Sequence, residues 1–336
     1  MKRITILFLL VSLAFNAVFA TGGKDKESGG GYTFKVGFAV TSTLCAAPFY
    51  IAIAKDYFGN EGLKWERINI GDGETMNLLT TGQVDGTNSL LATLIQPLAN
   101  GLDVQIPLAL HTGCIKVLVK PGSAIKTPAD LKGKTIGAAS PSASPTIIAK
   151  RYLANAGFRV EGENPDVQFI FQSAAELPLL LERGVVDAIA LNDPSAQIVE
   201  NDGRGVAIIN TATDDYLKDE FCCVVAVRTE TLKNHAEETA KFLRAIQKAA
   251  QYVQENPEES AQILAANKFV PGDPIINGQI LKTYDYRASV SQALPAIQRN
   301  SGDLQKLGLL AKDVDVGALA KNTFVEVHGV PDSLYH

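Results

Sequence analysis

Four cysteines, Cys45, Cys114, Cys222 and Cys223, have the clearest capacity for unusual chemistry in this 336-residue chain. Two are adjacent in the run DEFCCVVAV over residues 219–227, and His111 stands three residues before Cys114. Thiolates select soft partners such as Cu(I), zinc or iron–sulfur species. Thiols also engage sulfur or selenium compounds by contact or exchange. Zinc normally takes a closed set of four ligands, often with CxxC spacing, and no CxxC is present. Two blander readings stand beside a thiol pocket. A free cysteine packs as a small hydrophobe, and cysteines of an oxidising compartment pair. Adjacent cysteines bond to each other only through a strained ring, so a link from Cys114 to one of the pair is the expected disulfide. On a regular strand Cys222 and Cys223 point to opposite faces, so at most one faces a given site unless the strand is irregular.

Bringing segments this remote together is the work of the fold. Beyond residue 31, short apolar runs alternate with helical patterns, which predicts an α/β protein with crossover connections. YTFKVGFAV, VQFIFQ, DAIAL and VVAVRTETL read as strands, APFYIAIAKDYFGNEG as one helix ending near Gly59, and AEETAKFLRAIQKAAQYVQENP as a helix stopping before Pro257. The chain also resembles itself. LLTTGQVDGTNSL from Leu78 aligns with LLERGVVDAIALN from Leu180, matching Gly82 to Gly184, Val84 to Val186 and Asp85 to Asp187. The register continues without a gap through Gly101 and Gly203 to Ile106 and Ile208, and upstream Gly37 aligns with Gly137. Two related α/β lobes are therefore expected, joined by crossovers near 111–115 and 220–224, with a C-terminal helical section. The boundaries follow: 1–20 signal peptide, 21–31 flexible tether, 32–113 with 223–336 as lobe 1 (C-terminal helices included), and 114–222 as lobe 2.

The leader MKRITILFLLVSLAFNAVFA has basic residues, an apolar run and small residues at its end, which places cleavage after Ala20. No cysteine occurs near that point to carry a lipid. TGGKDKESGGG that follows is too polar to fold. Losing Lys2 and Arg3 with the leader takes the formal net charge from −5 to −7. That mild acidity argues against nucleic acid and anionic lipid as partners.

Over roughly residues 33 to 330 the chain resembles the periplasmic binding proteins of ABC importers, in the nitrate/sulfonate/taurine and thiamine-precursor-like branch. The resemblance rests on FAVTSTLCAAPFYIAIAKDYFGNEGL, LLTTGQVDGTNSLLATLI, IKTPADLKGKTIGAASPSASP, LERGVVDAIALNDP and LKNHAEETAKFLRAIQKAAQYVQENPEES in that order. It implies a two-lobed Venus-flytrap fold of type II in the periplasm or at the cell exterior. Such a protein acts as a monomer without a cofactor, and its cleft closes on a small solute for a membrane permease and its ATPase.

Ligands of α/β sheets bind at the carboxyl ends of strands. That rule names Thr43 and Cys45 after the first strand, Ser89, Ser142 and Ser144, Asn192 and Asp193, and, at the crossovers, His111, Cys114, Cys222 and Cys223. The Ser140–Ser144 loop enters a helix at Pro145, so its hydroxyls and free N–H groups suit an anionic head group; the plain alternative is N-capping by Ser144. No lysine or arginine sits in these loops, which weakens the case for a strongly charged oxyanion. Tyr284 and Tyr286 read as packing residues.

The leading function is a solute-binding protein, not an enzyme, with a thiophilic ligand (a reduced sulfur or selenium compound, or a soft metal) near the four cysteines. Sulfonate, nitrate, taurine or pyrimidine binding with structural cysteines is one alternative, and a metal chaperone or sensor is another. A third is an enzyme like the pyrimidine synthases of the same fold.

Overall fold

Each copy of the repeat folds into the same strand–helix unit. The computed structural model describes residues 31–39, 43–71 and 73–335. The expected leader, residues 21–30 of the tether, Thr41, Ser42 and His336 lie outside them. Among the described residues the strands are β1 (Phe34–Ala39), β2 (Trp65–Ile70), β3 (Gly86–Leu90), β4 (Val104–Thr112), β5 (Ile115–Val119), β6 (Lys134–Ala138), β7 (Val167–Phe171), β8 (Ala188–Asn192), β9 (Val206–Asn210) and β10 (Phe221–Arg228). They build two five-stranded sheets, ordered β2-β1-β3-β10-β4 and β7-β6-β8-β5-β9. The topologies correspond strand for strand. In each sheet the fourth strand runs antiparallel to the third.

The repeat has a physical basis. Asp85 Oδ2 accepts the Lys35 N–H, and Asp187 Oδ2 accepts the Thr135 N–H, each strapping the start of a third strand to the first. Gly37 and Gly137 sit two residues further along the first strands, where a side chain would strike packed neighbours: Ile70 and Val84 in one lobe, Leu177 in the other. Gly82 and Gly184 take left-handed backbone before each aspartate, a conformation that favours glycine.

The helices are α1 (Ala47–Ala54), α2 (Tyr57–Asn60), α3 (Thr75–Thr80), α4 (Leu91–Ala99), α5 (Ser144–Asn155), α6 (Leu177–Glu182) and α7 (Ser195–Asn201) within the repeats. After β10 follow α8 (Thr229–Asn234), α9 (Ala236–Glu255), α10 (Pro257–Ala266), α11 (Pro274–Leu281), α12 (Ala293–Lys306) and α13 (Val316–Thr323). The single helix expected from Ala47 to Gly59 is broken into α1 and α2. Asp56 adopts φ 51° there, which a short polar side chain tolerates better than most. α9 runs as its periodicity predicts: Phe242, Leu243, Ile246, Ala250 and Val253 are buried on one face. Among the described residues no helix is long and apolar enough to cross a membrane.

The chain changes sheets twice, between Thr112 and Ile115 and between Asn210 and Phe221. We propose these crossings as the limits of the lobes. They place Phe221 and Cys222 with the first sheet, two residues from the boundary read from the sequence. The C-terminal section covers the edge strand β4, where isolated bridges pair Ile106 with Phe324 and Ala109 with Ser289. Pro107, which cannot donate to a ladder, is tolerated on that edge. Across the lobes, Arg151 of α5 lies fully buried in a polar network. It donates to both Glu220 oxygens (2.6 and 2.8 Å), to Asp303 Oδ2 of α12 (2.8 Å) and to Asn300 (2.9 Å).

Candidate functional site: a donor-lined cleft backed by a thiol cluster

Strand ends and helix starts of both sheets converge on a cavity of about 1210 Å³. Six of the sequence-predicted residues line it: Thr43, Ser89, Ser142, Ser144, Asn192 and Asp193. Ser89 is the last residue but one of β3, just before α4, and Ser142 and Ser144 precede and open α5. Neither helix has a side-chain cap, so their first N–H groups and dipoles remain available to a ligand. The alternative of capping by Ser144 does not hold: α5 begins at Ser144, its cap position is Ala143, and Pro145 lies in the first turn. Thr146 Oγ1 instead donates to Ser140 O, folding the loop back on the helix. Asn192 Nδ2 is buried without a hydrogen-bond partner, a donor left unpaired at the cavity wall.

Asp193 differs from its neighbours. It is 2% exposed, Oδ2 accepts the Tyr284 hydroxyl at 3.0 Å, and Oδ1 accepts the Gln197 N–H. Burial pushes its pKa up to about 6, against the opposing charge of Lys116 and the Tyr284 hydrogen bond. Each oxygen thus accepts one protein donor, which fixes the orientation of the carboxyl group on the cavity wall.

Sequence reasoning missed other residues of the lining. Thr93 and Gln96 project from α4 and Met76 from α3, while Lys268 and Phe269 arrive from the turn after α10. The cleft therefore holds a lysine that none of the strand-end loops contains. Lys268 has φ 55° at the helix end, a position that the strand-end rule does not examine.

His111 and the four cysteines do not line the cavity. They meet behind it, and Cys45, Cys114, Cys223 and His111 are each at most 3% exposed. A chain of contacts leads inward from Asp193 through the Tyr284 hydroxyl; the Tyr284 ring stacks on His111 at 5.4 Å, and His111 Nδ1 lies 3.9 Å from Cys222 Sγ. Cys114 Sγ is 3.1 Å from Cys222 Sγ, which is 3.8 Å from Cys223 Sγ. Cys45, in the tight turn before α1, closes a second group with His111 and Cys223, all ligand atoms lying within 4.8 Å of one another. The sulfurs are free thiols.

Local structure explains this convergence. β10 slips register against β4 between Phe221 and Cys223 and again between Cys223 and Val224. The irregularity turns both adjacent thiols to one side, against the strand alternation expected. Gly113, at φ 66°, turns the chain out of β4, and Thr211 Oγ1 accepts the N–H groups of Cys114 and Ile115, tying one crossing to the other. Tyr286 donates to Leu44 O at 2.7 Å and pins the Cys45 turn.

Charge is divided within the cluster. Hydrogen bonds from Cys114 and Cys223 hold the Cys45 thiol well below its usual range. Burial pushes Cys222 up, but the thiols of Cys114 and Cys223 and the charge of His111 outweigh it and hold it low. Hydrogen bonding to Cys222 drives Cys114 well up, and burial drives Cys223 well up. Burial alone pulls His111 down, yet the thiolate charge beside it raises it well above the ordinary imidazole value.

A sequence profile of the family described as NMT1/THI5 like matches residues 45–260. A Bacillus subtilis (strain 168) protein with aliphatic sulfonates-binding protein in its name is 24% identical over 332 residues, 96% of this chain and 94% of that one. The formylaminopyrimidine-binding protein of Halalkalibacterium halodurans is 24% identical over 287 residues, 82% of each chain. The crystal structure of the periplasmic aliphatic sulphonate binding protein SsuA from Escherichia coli superposes with a TM-score of 0.72 at 17% identity. It covers 90% of this chain and 95% of that one, and it shares the two-lobed fold.

Proposed function

Because the chain belongs to the NMT1/THI5 like family, we propose that it is the extracytoplasmic solute-binding component of an ABC importer, and that its solute is a small organic oxyanion of the sulfonate class. One observation carries the solute class. Among the described residues, the cleft combines two uncapped helix N-termini, the unpaired Asn192 Nδ2 and Lys268, while the Asp193 carboxylate on its wall is turned to internal partners. Such a surface satisfies an anion without supplying a like charge. Apolar side chains of Met76, Leu90 and Phe269 line the same cavity and suit an organic tail. A relative named for aliphatic sulfonates supports the reading, and one named for a pyrimidine keeps the neutral alternative in view. Both names describe binding proteins, which supports a carrier over an enzyme, with a permease and ATPase as partners.

Calorimetric titration with a short alkanesulfonate, nitrate and formylaminopyrimidine tests the assignment. Saturable sulfonate binding is expected, weakened about tenfold or more by Asn192→Leu and by Lys268→Gln, since a hydrogen bond to a charged group contributes about 1.5–3 kcal/mol. Binding of the pyrimidine alone would overturn it, as would recovery of the solute chemically altered.

The convergence of thiols favours a second reading, in which the cargo is a thiophilic compound held at Cys45, Cys114, Cys222 and Cys223. That cargo would have to pass Asp193, Tyr284 and His111 on each cycle of loading and release. The open cavity is the better place for cargo.

A further inference from the structure

The thiol cluster has the form of a site for a resident ion. We propose that Cys45, His111, Cys114, Cys222 and Cys223 bind copper(I) at the crossing of the two lobes, in two three-ligand sets, Cys45/His111/Cys223 and Cys114/Cys222/Cys223, that share the Cys223 sulfur. Within each set the ligand atoms lie within 4.8 Å of one another. Metal–sulfur bonds of about 2.3 Å in a trigonal arrangement put sulfurs about 4 Å apart. The Cys222–Cys223 separation is 3.8 Å; the 3.1 Å Cys114–Cys222 pair needs to part by less than the width of a bond.

The ligand set selects among soft ions. Thiolate and imidazole suit copper(I) and zinc, but zinc takes four ligands in a closed tetrahedron. Five donors divided into two triangles with one shared vertex satisfy three-coordinate copper(I), whose sulfur ligands commonly bridge.

His111 supplies an independent observation. Its Nδ1 contacts Thr112 O at 3.2 Å; a carbonyl only accepts, so Nδ1 donates. Nε2 is left buried with no partner. A ring held by one nitrogen on a backbone carbonyl while the other stays unpaired is the arrangement of a metal-ligating histidine. The four cysteines sit in or against the apolar core of the first lobe, and within it their sulfurs meet one another and an imidazole. On binding, copper(I) displaces thiol protons to solvent, and no electron is transferred.

The five donors come from four places: the turn before α1, the end of β4, the crossing at Cys114 and the start of β10. A bound ion would therefore join both crossings to the first lobe. This proposal does not depend on the identity of the solute in the cleft, and solute titration serves as its folding control.

The test uses the full reduced chain under argon, with copper(I) supplied as its acetonitrile complex and bicinchoninate as competitor. Expected are one to two copper ions retained per chain after desalting, thiolate-to-copper absorption in the ultraviolet, and X-ray absorption showing three-coordinate sulfur with nitrogen. Cys223→Ser should weaken retention about a hundredfold or more, since lost second-shell partners alone cost about 10–100-fold. Cys45→Ala should remove one ion and spare the other. Should the variants fail to fold, the wild-type stoichiometry and spectrum decide alone. Full transfer of copper to bicinchoninate would overturn the proposal, as would retention of zinc in preference to copper(I). So would a Cys114–Cys222 disulfide whose reduction yields a protein that still takes up no copper.

Discussion

Arg151 illustrates how much a single side chain commits at the boundary between lobes. Its guanidinium satisfies Glu220 and Asp303 at once, and Glu220 also takes Asn300 Nδ2 and the Arg299 guanidinium. Arg151→Met keeps the stem but takes from Glu220 and Asp303 the guanidinium they share. We expect a loss of about 3–5 kcal/mol in denaturant unfolding. The network also predicts a pH response. Burial raises Asp303, but Arg151, Tyr216 and Lys306 outweigh it and hold it below the ordinary aspartate pKa of 3.8. A depressed carboxylate contributes stability fully present above its unfolded value and lost as pH falls through the folded one. Unfolding midpoints measured below pH 4 should therefore fall more steeply for wild type than for Asp303→Asn. Legibility at this scale was uneven. Strand-end polarity found Ser89, Ser142 and Asn192, because strand ends are written into the local pattern. Arg151 and Glu220 stand 69 residues apart, and nothing in either neighbourhood announces the other. Lys268 was missed for the same reason: the packing of α10 on α1, α9 and α11 brings it to the cleft.

Among the elements, the paired glycines offer the sharpest test. A Cβ at Gly37 would lie 2.6 Å from Ile70 and 2.8 Å from Val84, whereas at Gly137 the nearest atom is Leu177 Cδ2 at 3.0 Å. Gly37→Ala should therefore destabilise more than Gly137→Ala, with overpacking costing about 1–3 kcal/mol. Equal midpoints in urea would show that the first lobe relaxes more easily than its packing suggests. Gly113→Ala should also destabilise, by about 1–3 kcal/mol, because φ 66° is unfavourable for alanine and Ala212 stands 2.7 Å from the new carbon. The repeat made these positions visible in the sequence, since Gly-x-Val-Asp marks a turn, a buried strand and the aspartate strap. The irregularity of β10 was not visible. Register slips of this kind depend on the partner strand, here β4, and FCCVVAV on its own reads as a regular, continuously apolar strand. The break between α1 and α2 was equally hidden, because YFGN continues the apolar periodicity past Asp56.

For the molecule as a whole, the order of motifs along the chain sufficed to foresee two lobes of related topology. Which sheet each connecting strand joins was only partly foreseen, because pairing between distant strands is decided by tertiary fit. A solute that binds only the folded, two-lobed state must stabilise it. At a hundredfold excess over Kd the gain is about 2.7 kcal/mol, enough to raise Tm by about 4 °C in a protein of this size. Differential scanning fluorimetry with an alkanesulfonate should show that rise for wild type, and Asn192→Leu should lose most of it at the same concentration. An unchanged Tm in saturating sulfonate would exclude the solute class.

The strand order has a consequence in time. β3 and β4 never touch each other; β10 fills the gap between them, and it is encoded more than a hundred residues after β4. The second sheet, by contrast, is complete within one unbroken stretch from β5 to β9. As the chain emerges, the later half can finish before the earlier half has all its parts. Until Phe221–Arg228 arrives, β3 and β4 each present an open edge, the kind of surface on which chains pair wrongly. The same late strand carries Cys222 and Cys223. Cys45 and Cys114 must therefore wait, apart from their partners, until the first lobe closes. The interval before that closure is when these thiols are most exposed to oxidation.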